Sequence, residues 1–270
     1  MCAMKKTGAK TALCVGINDY PGTGSDLSGC VNDAKDWKLA LQKRGFSVTT
    51  LIDKQATAAA IRAALTKLVR SGAKGDSVVF TFSGHGSWLP DDDGDDVDGR
   101  DEMICPYDVY SGGTVMDDDL HEIFSLREEG VRLVFLSDSC HSGTVSKFFA
   151  PPPSVAKNYP RPRFLHPRVF VRSKQVLKAI DRVAALPKTP QAKFPALLAA
   201  GCTDTEFSWD AHFGGRPNGA FTYFALRALA AKPKTFASWM NLVRTKLPTS
   251  AHPQSPSLYG SASSKQWRLP

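Results

Sequence analysis

The alternation of apolar runs with helical stripes constrains the fold of this chain more than any other feature. Four apolar runs in the first half read as buried strands, at residues 11–17, 46–52, 78–82 and 131–136. Between them, apolar residues recur at helical spacing, as in Ile61, Leu65 and Leu68. Strand–helix–strand units of this length form right-handed crossovers and a parallel sheet. The sequence therefore predicts an α/β fold with a mostly parallel central sheet and helices on both faces.

Two long stretches interrupt this pattern. Residues 86–116 contain an acidic loop, and residues 147–193 are rich in proline, lysine and arginine. Loops of this length inside a compact domain are usually functional or mobile. Apolar strand and helix patterns resume afterwards. We predict one domain in three parts: a large part over 1–146, a basic proline-rich linker or loop over 147–193, and a small part over 194–270 that completes the same domain.

The cysteines and the first residues indicate the compartment. The six cysteines include no CxxC pair and no regular spacing, which favours free thiols in a reducing environment. Residues 1–10 are basic and polar, so we expect no signal peptide. No apolar run approaches the roughly 18 residues that a membrane helix needs. The sequence therefore predicts a cytoplasmic protein without a membrane partner.

The net charge of +8 raises the question of nucleic-acid binding. The acidic residues concentrate in 91–119, which leaves the rest of the chain strongly basic. The lysines and arginines form no single-face stripe and do not interleave with aromatic residues, so we expect no specific nucleic acid as partner. Charge alone favours solubility and weak association. A basic nucleic-acid-binding protein stays open as a rival, and salt-sensitive binding to DNA would favour it.

A cysteine and a histidine stand where two predicted strands end. Cys140 follows the apolar run 131–136, and His85 follows the run 78–82 within Ser83-Gly84-His85-Gly86. Reactive side chains gather beyond the carboxyl ends of parallel strands, and neighbouring strands lie about 4.8 Å apart. Either residue alone is more often structural. Together they predict a thiol nucleophile beside an imidazole base.

These motifs resemble those of a known family. Ser83-Gly84-His85-Gly86 and Asp138-Ser139-Cys140-His141-Ser142-Gly143 are similar to the two catalytic motifs of metacaspases and of their bacterial relatives, the orthocaspases. Residues 27–34 and 101–108 resemble two further motifs of that family. The resemblance implies a caspase-like fold and a thiol protease, a hydrolase with cysteine-type endopeptidase activity. It assigns Cys140 as nucleophile, His85 as general base, and the N–H groups of Gly86 and Cys140 to the oxyanion.

The resemblance also implies where the side chain before the scissile bond binds. In the family that pocket is formed by residues that match Cys30, Asp33, Ser83 and Asp138. Two carboxylates attract arginine or lysine through charge-assisted hydrogen bonds. We therefore predict protein or peptide substrates cut after Arg or Lys, and never after Asp. Taken alone, Asp33 also fits a charge in the first turn of a helix, which the helix dipole favours.

The stretch 147–193 lies where the family often has a linker between its two catalytic parts. A protease specific for Arg or Lys would find several targets there, and the alternative is a solvated loop. The candidates for self-cleavage are Arg161, Arg163, Arg168, Arg172 and Lys174. The resemblance further implies a monomer.

Calcium is the one cofactor that the resemblance raises, as an activator rather than a participant in the chemistry. The matching positions are Asp101, Asp117 and Asp118, and the fourth ligand position falls at Lys147, which cannot coordinate calcium. Three carboxylates could bind the ion weakly, or the lysine could replace it. Alternatively, residues 117–119 cap the helix that follows. Calcium activation therefore stays open.

A second functional class stays open as well. A caspase-like domain without catalysis would act as a binding scaffold or a metal-responsive switch. The presence of both Cys140 and His85 argues for the enzyme, because such pseudo-enzymes commonly lose one of the pair.

Overall fold

The computed structural model describes residues 8–91, 98–140, 160–184, 186, 195–203 and 205–269. Their strands, in chain order, are β1 (Lys10–Gly16), β2 (Ser47–Ile52), β3 (Ser77–Ser83), β4 (Gly86–Pro90), β5 (Arg100–Ile104), β6 (Val115–Met116), β7 (Arg132–Asp138), β8 (Arg161–Pro162), β9 (Leu197–Ala200), β10 (Trp209–Phe213), β11 (Arg216–Gly219) and β12 (Ser257–Tyr259). Their helices are α1 (Cys30–Gln42), α2 (Ala58–Arg70), α3 (Asp117–Ser125), α4 (Lys174–Val183), α5 (Ala220–Ala228), α6 (Phe236–Arg244) and α7 (Ala262–Lys265).

Six strands form the central sheet, in the order β12-β9-β7-β3-β1-β2. All neighbours pair in parallel except β12, which runs antiparallel to β9 at one edge. The prediction of an α/β fold with a mostly parallel sheet is confirmed. Strands from the first part of the chain and from residues after 194 share this sheet, because β9 lies directly beside β7.

The helices cover both faces of the sheet, as predicted. Side chains alternate between faces along a strand. Leu13 and Val15 of β1 pack into a core that also holds apolar residues of α2 and α3. Ala12 and Cys14 of the same strand pack into a second core, with residues of α1, α5 and α6. Burial on both faces explains why these strands read as continuous apolar runs. Within the described residues, no helix is both long and apolar enough to cross a membrane.

The two stretches predicted as irregular contain regular structure. Strands β4, β5 and β6 form an antiparallel sheet within residues 86–116. The described part of 147–193 contains β8 and α4. Helix α4 begins after Ser173, whose hydroxyl accepts a hydrogen bond from the Val176 N–H, and it buries only Ile180. The spacing of Val176, Ile180 and Val183 is helical, but the surrounding prolines masked that signal.

A third sheet places a short segment of chain across the carboxyl edge of the central sheet. It has the order β11-β10-β8, and all three strands are antiparallel. Gly214 and Gly215 connect β10 to β11 with φ angles of 60° and 82°, the positive values that a tight hairpin turn needs. The register pairs Trp209 with Pro162. This pairing carries the chain from β8 toward the ends of β3 and β7.

Candidate active site

The central sheet brings His85 and Cys140 to the same edge. Strands β3 and β7 are parallel neighbours, and their register pairs Ser83 with Asp138. His85 and Cys140 each lie two residues beyond that pair. Parallel strands that end in register place the residues that follow them side by side. The juxtaposition predicted from the two strand ends is therefore present in the backbone.

The His85 ring is buried and oriented by its neighbours. Its Nε2 lies 2.6 Å from the carbonyl oxygen of Ser25, which fixes Nε2 as the protonated donor. Among the described residues, Nδ1 has no hydrogen-bond partner. The Tyr20 ring packs against the imidazole, with 4.7 Å between centroids, and the Tyr20 hydroxyl accepts a hydrogen bond from the main-chain N–H of His85 at 2.8 Å. Burial lowers the pKa of His85 to about 4, so the imidazole is neutral at pH 7 with Nδ1 free to accept a proton.

The Cys140 thiol is fully buried and faces the backbone of Ser208. The Ser208 N–H donates to Sγ, and Sγ donates to the Ser208 carbonyl oxygen at 3.4 Å. A second thiol lies nearby, because Cys202 donates to the carbonyl oxygen of Ser139 at 3.7 Å. Two causes raise the pKa of Cys202 well above its ordinary value. The hydrogen bond with the Cys140 side chain is the larger, and burial is the second. The sequence analysis did not identify Cys202 or Ser208.

The two N–H groups that the resemblance assigned to the oxyanion point at one oxygen. The Gly86 N–H donates to the carbonyl oxygen of Arg163 at 3.0 Å, and the Cys140 N–H donates to the same oxygen at 3.1 Å. Two converging main-chain donors are the arrangement that stabilises a developing oxyanion. Here both donors bind the Arg163 carbonyl oxygen, which belongs to the same chain as the donors.

The side chain of Arg163 fills a buried acidic pocket, formed by the carboxylates of Asp33, Asp138 and Asp210. Its Nη2 donates to Asp33 at 2.7 Å and to Asp210 at 2.9 Å. Its Nη1 donates to the carbonyl oxygen of Asp138 at 3.1 Å and lies 3.2 Å from the carboxylate of the same residue. Arg163 is 0% exposed. The planar fork of the guanidinium thus meets acceptors on both terminal nitrogens.

Main-chain and amide donors hold the three carboxylates in place. Asp33 accepts hydrogen bonds from the Gly219 N–H and the Asn218 amide. Asp138 accepts from the Thr222 N–H and the Ser208 hydroxyl. Asp210 accepts from the N–H groups of Ser28 and Gly29. Buried charges need such partners to offset the loss of water. The acidic pocket is therefore built by β7, α1, β10 and β11 together.

Charge and burial act in opposite directions inside the acidic pocket. Burial by itself would lower the pKa of Arg163, but the surrounding negative groups, Asp138 first, raise it well above its ordinary value. Burial raises the pKa of Asp33 to about 6, and the nearby Asp138 charge acts in the same direction. Three carboxylates against one guanidinium leave an excess of negative charge, so an upward shift for one of them is physically reasonable.

The structure places the four residues predicted for the pocket around this site. Asp33 and Asp138 contact the guanidinium directly. Cys30 is the first residue of α1, fully buried, and close enough to Arg163 and the acids for their charges to affect its pKa, which burial raises well above the ordinary value. Ser83 lies opposite Asp138 in the sheet register.

Sequence reasoning missed the contribution of the second half of the chain. Asp210, Asn218 and Gly219 lie on the β10–β11 hairpin, about 180 residues from Cys30 and Asp33 on α1. The Gly214-Gly215 pair between two alternating segments was the available signal for that hairpin. It does not by itself indicate that the hairpin reaches α1.

The residues on either side of Arg163 pair with neighbouring segments, Pro162 with β10 and Phe164 with Gly86, and the chain bends at Arg163 itself. The Arg163 N–H donates to the Ser208 carbonyl at 2.9 Å, and the Leu165 N–H donates to the Gly86 carbonyl at 2.9 Å. The ring of Phe164 contacts that of Phe207, with centroids 6.2 Å apart. The chain therefore passes the thiol in the manner of a bound peptide, with the bond from Arg163 to Phe164 beside Cys140.

The other candidates for self-cleavage lie elsewhere. Arg161 donates to the Asp26 carbonyl at 2.8 Å, Arg168 pairs with Asp181 on the surface, Arg172 lies over the Tyr110 ring, and Lys174 begins α4. Of the five candidates, Arg163 alone occupies the acidic pocket.

The carboxylates proposed for calcium do not converge. Asp117 is buried and Asp118 is exposed, because consecutive residues of a helix point about 100° apart. Within the described ranges, no group of three or more His, Cys, Asp or Glu side chains is placed to hold a metal ion. These residues do not fit the ion as arranged, and Lys147 lies outside the described residues. We derive no step through calcium.

Comparison with known proteins gives the family. A model of the metacaspase, peptidase C14 domain matches residues 10–148. Metacaspase-1 of Cryptococcus neoformans is 33% identical over 89% of this chain, and metacaspase-1A of Aspergillus fumigatus is 31% identical over 90%. The chain spans 60% and 67% of the length of these two relatives.

Two solved structures agree with the fold. A crystal structure of a Geobacter sulfurreducens protein has a TM-score of 0.71 and 32% identity, and covers 96% of this chain and 97% of its own. Caspase-1 of Spodoptera frugiperda has a TM-score of 0.59 at 13% identity, and covers 94% of this chain and 87% of its own, which confirms the predicted caspase-like fold. With a family model that spans half of its length and relatives above 30% identity over most of it, this chain belongs to the metacaspase family.

Proposed function

We propose that this protein is a cysteine endopeptidase that hydrolyses peptide bonds after Arg or Lys, with Cys140 as nucleophile and His85 as base. One observation carries the proposal. Arg163 of the chain lies in the cleft as a substrate residue would, with its side chain among three carboxylates and its carbonyl oxygen on two N–H groups beside the thiol. Aspartate before the scissile bond would be repelled by the same pocket.

The chemistry follows from these positions. The Cys140 side chain turns from Ser208 toward the Arg163 carbonyl, its proton passes to Nδ1 of His85, and sulfur bonds to the carbonyl carbon. The N–H groups of Gly86 and Cys140 hold the negative oxygen. The bond to Phe164 then breaks as the imidazolium protonates the leaving amine. Water hydrolyses the thioester, which yields the Arg163 carboxylate and restores the thiol.

We further propose that the enzyme processes itself within 147–193, at the bond between Arg163 and Phe164. The intact chain fills its own cleft on both sides of Cys140, so a second substrate cannot enter until this segment leaves. The hydrogen bonds that Sγ makes with the Ser208 N–H and carbonyl groups hold the thiol in a resting position. A cytoplasmic location and a monomeric state stay predictions from the sequence.

Self-processing is tested on the full chain. Wild-type protein, incubated with and without calcium, is expected to split into two fragments, and intact mass should place the new termini at Arg163 and Phe164. Cys140→Ala should stay whole. Arg163→Ala should stay whole or be cut slowly elsewhere, whereas Arg168→Ala, a matched change at an exposed arginine, should split like wild type. Cleavage at another residue in wild type would remove Arg163 from this role.

Activity on other substrates is tested with fluorogenic peptides that end in Arg, Lys or Asp. Hydrolysis of the Arg peptide, lost in Cys140→Ala, is the expected result. Hydrolysis of the Asp peptide alone would contradict the pocket assignment. A wild-type protein that cuts neither itself nor any peptide would favour the non-catalytic scaffold.

A further inference from the structure

We propose that Asp210 and Gly219 set the specificity of this site for arginine over lysine. The inference rests on the proposed peptidase function and names two residues that lie outside all four sequence motifs. Asp210 is on β10 and Gly219 ends β11, so both reach the acidic pocket only through the β10–β11 hairpin.

Asp210 is positioned to contact a guanidinium that extends past Asp33. Its Oδ1 lies 2.9 Å from Nη2 of Arg163, and Asp33 contacts the same nitrogen from the other side at 2.7 Å. The N–H groups of Ser28 and Gly29 hold the Asp210 carboxylate at 2.8 and 3.0 Å. The carboxylate is thus fixed by the protein and 4% exposed, which gives it a preset direction toward the ligand.

A lysine side chain would leave these acceptors without partners. Its ammonium nitrogen falls near the position of the guanidinium carbon, since both are the fifth atom beyond Cα. The terminal nitrogens of arginine reach about 1.3 Å further. A lysine ammonium therefore cannot contact Asp210, Asp33 and both acceptor groups of Asp138 together. Buried carboxylates left without a donor are costly.

Gly219 provides the space that the guanidinium needs. A β-carbon at this position would lie 2.4 Å from Nη1 and 2.6 Å from Cζ of Arg163, and 2.2 Å from the Asp138 carboxylate. The backbone at Gly219 has φ −69° and ψ 138°, values that any residue adopts. Glycine is therefore required here for room and not for backbone conformation.

The kinetic experiment compares two peptides that differ only in Arg or Lys before the scissile bond. For processed wild-type enzyme we expect kcat/KM to favour Arg by about 100-fold or more. Asp210→Asn loses the charge and one of the two oxygens that accept the Ser28 and Gly29 N–H groups. It should lower kcat/KM for Arg by about 10- to 100-fold and for Lys by less than about threefold. Gly219→Ala should also lower the Arg rate more than the Lys rate.

The matched control is Asp76→Asn. Asp76 lies just before β3, at the opposite end of that strand from the site, and like Asp210 it accepts one backbone N–H on each carboxylate oxygen, from Ala9 at 2.6 Å and from Ala73 at 2.9 Å. The same loss of charge there should leave the Arg-to-Lys ratio unchanged. An equal fall for both peptides in Asp210→Asn would show a structural role only and would overturn the inference.

A second measurement does not depend on activity. In the intact Cys140→Ala protein, Arg163→Lys and Asp210→Asn are made singly and together, and the unfolding equilibrium constant is measured by denaturant. We expect the two changes to be coupled by about tenfold or more. Additive effects would overturn the role of Asp210. If the protein has no peptidase activity, the proposed function is refuted. The coupling measured in this double-mutant cycle still tests the contact between Asp210 and the arginine.

Discussion

Two acidic clusters in this molecule differ in whether their carboxylates surround a common cation. The acidic pocket gathers three carboxylates from distant parts of the chain around one buried guanidinium. The second cluster, formed by Asp101, Asp117 and Asp118, lies close in sequence but does not converge on a common point. Its neighbour Asp119 pairs with Arg62 at the surface, where the two side chains are 28% and 36% exposed.

The comparison shows that sequence density of acids is a poor guide to a cation site. Around Arg163, each carboxylate is held by backbone or amide donors that tertiary structure supplies. Beside the second cluster, Asp119 accepts the Met116 N–H and thereby caps α3. Adjacent acids on one helix turn diverge, whereas acids from different elements converge when the fold brings the elements together.

The largest effect is expected from removing the buried cation. In the intact Cys140→Ala protein, Arg163→Ala should lower the free energy of unfolding by about 3–5 kcal/mol, because it leaves buried carboxylates uncompensated. Denaturant unfolding measures this loss. The surface counterpart, Arg62→Ala, should cost about 0–1 kcal/mol. Similar losses of unfolding free energy in the two variants would mean that the buried ion pairs of Arg163 stabilise the protein no more than the surface pair of Arg62 does.

The next effect concerns pH, where His85 and Asp33 oppose each other. Burial lowers the pKa of His85 to about 4 from an ordinary 6.5, so the unfolded chain binds that proton first and stability falls as pH drops from 6.5 to 4. Burial raises the pKa of Asp33 to about 6 from 3.8, so the folded chain binds that proton first and stability rises as pH drops through 6.

Variants of the intact Cys140→Ala protein separate the two contributions. Relative to that parent, Asp33→Asn should steepen the loss of stability between pH 7 and pH 4. His85→Gln should make it shallower, by about 3 kcal/mol at pH 4. Unfolding free energies at several pH values give both slopes. Parallel slopes in all three proteins would show that neither group has a shifted pKa.

The smallest effect is expected from calcium at the second cluster. Because Asp117 and Asp118 diverge, we expect a dissociation constant near 10⁻³ M or weaker and a stabilisation of about 0.4 kcal/mol when calcium equals that constant. Thermal unfolding of Cys140→Ala with and without calcium measures it, and Asp101→Asn is the control that should remove it. A stabilisation of several kcal/mol would contradict the divergence of these carboxylates.

Much of the central sheet could be predicted, because its strands leave a pattern in their own residues. The apolar runs that became β1, β2, β3 and β7 are buried on both faces, and such burial leaves a continuous apolar signature. The small sheets were missed, because β4, β5 and β6 are short, and one face of such strands needs no apolar residue. Helix α4 was missed for a related reason, since it buries only Ile180.

The candidate site was predictable in part for the same reason. His85 and Cys140 follow strands predicted to be parallel, so their position at one edge of the sheet could be inferred, whereas the direct pairing of β3 with β7 could not. Asp33 and Asp138 came from motif resemblance. Asp210, Asn218 and Gly219 could not be found, because a short hairpin carries no local mark of the element that it will contact. The sequence could not distinguish Arg163 from the other four candidates for self-cleavage, because the acidic pocket forms only in the folded protein.

A parallel α/β sheet with a thiol and an imidazole at one edge could be predicted from the residues alone, because strand periodicity and strand ends are local properties of the chain. Which arginine enters the cleft, and which third carboxylate meets it, is settled only in the folded molecule. That choice depends on contacts between residues up to about 180 positions apart, such as the Gly29 N–H and Asp210. Such contacts form only when burial of the two apolar cores brings the β10–β11 hairpin against α1.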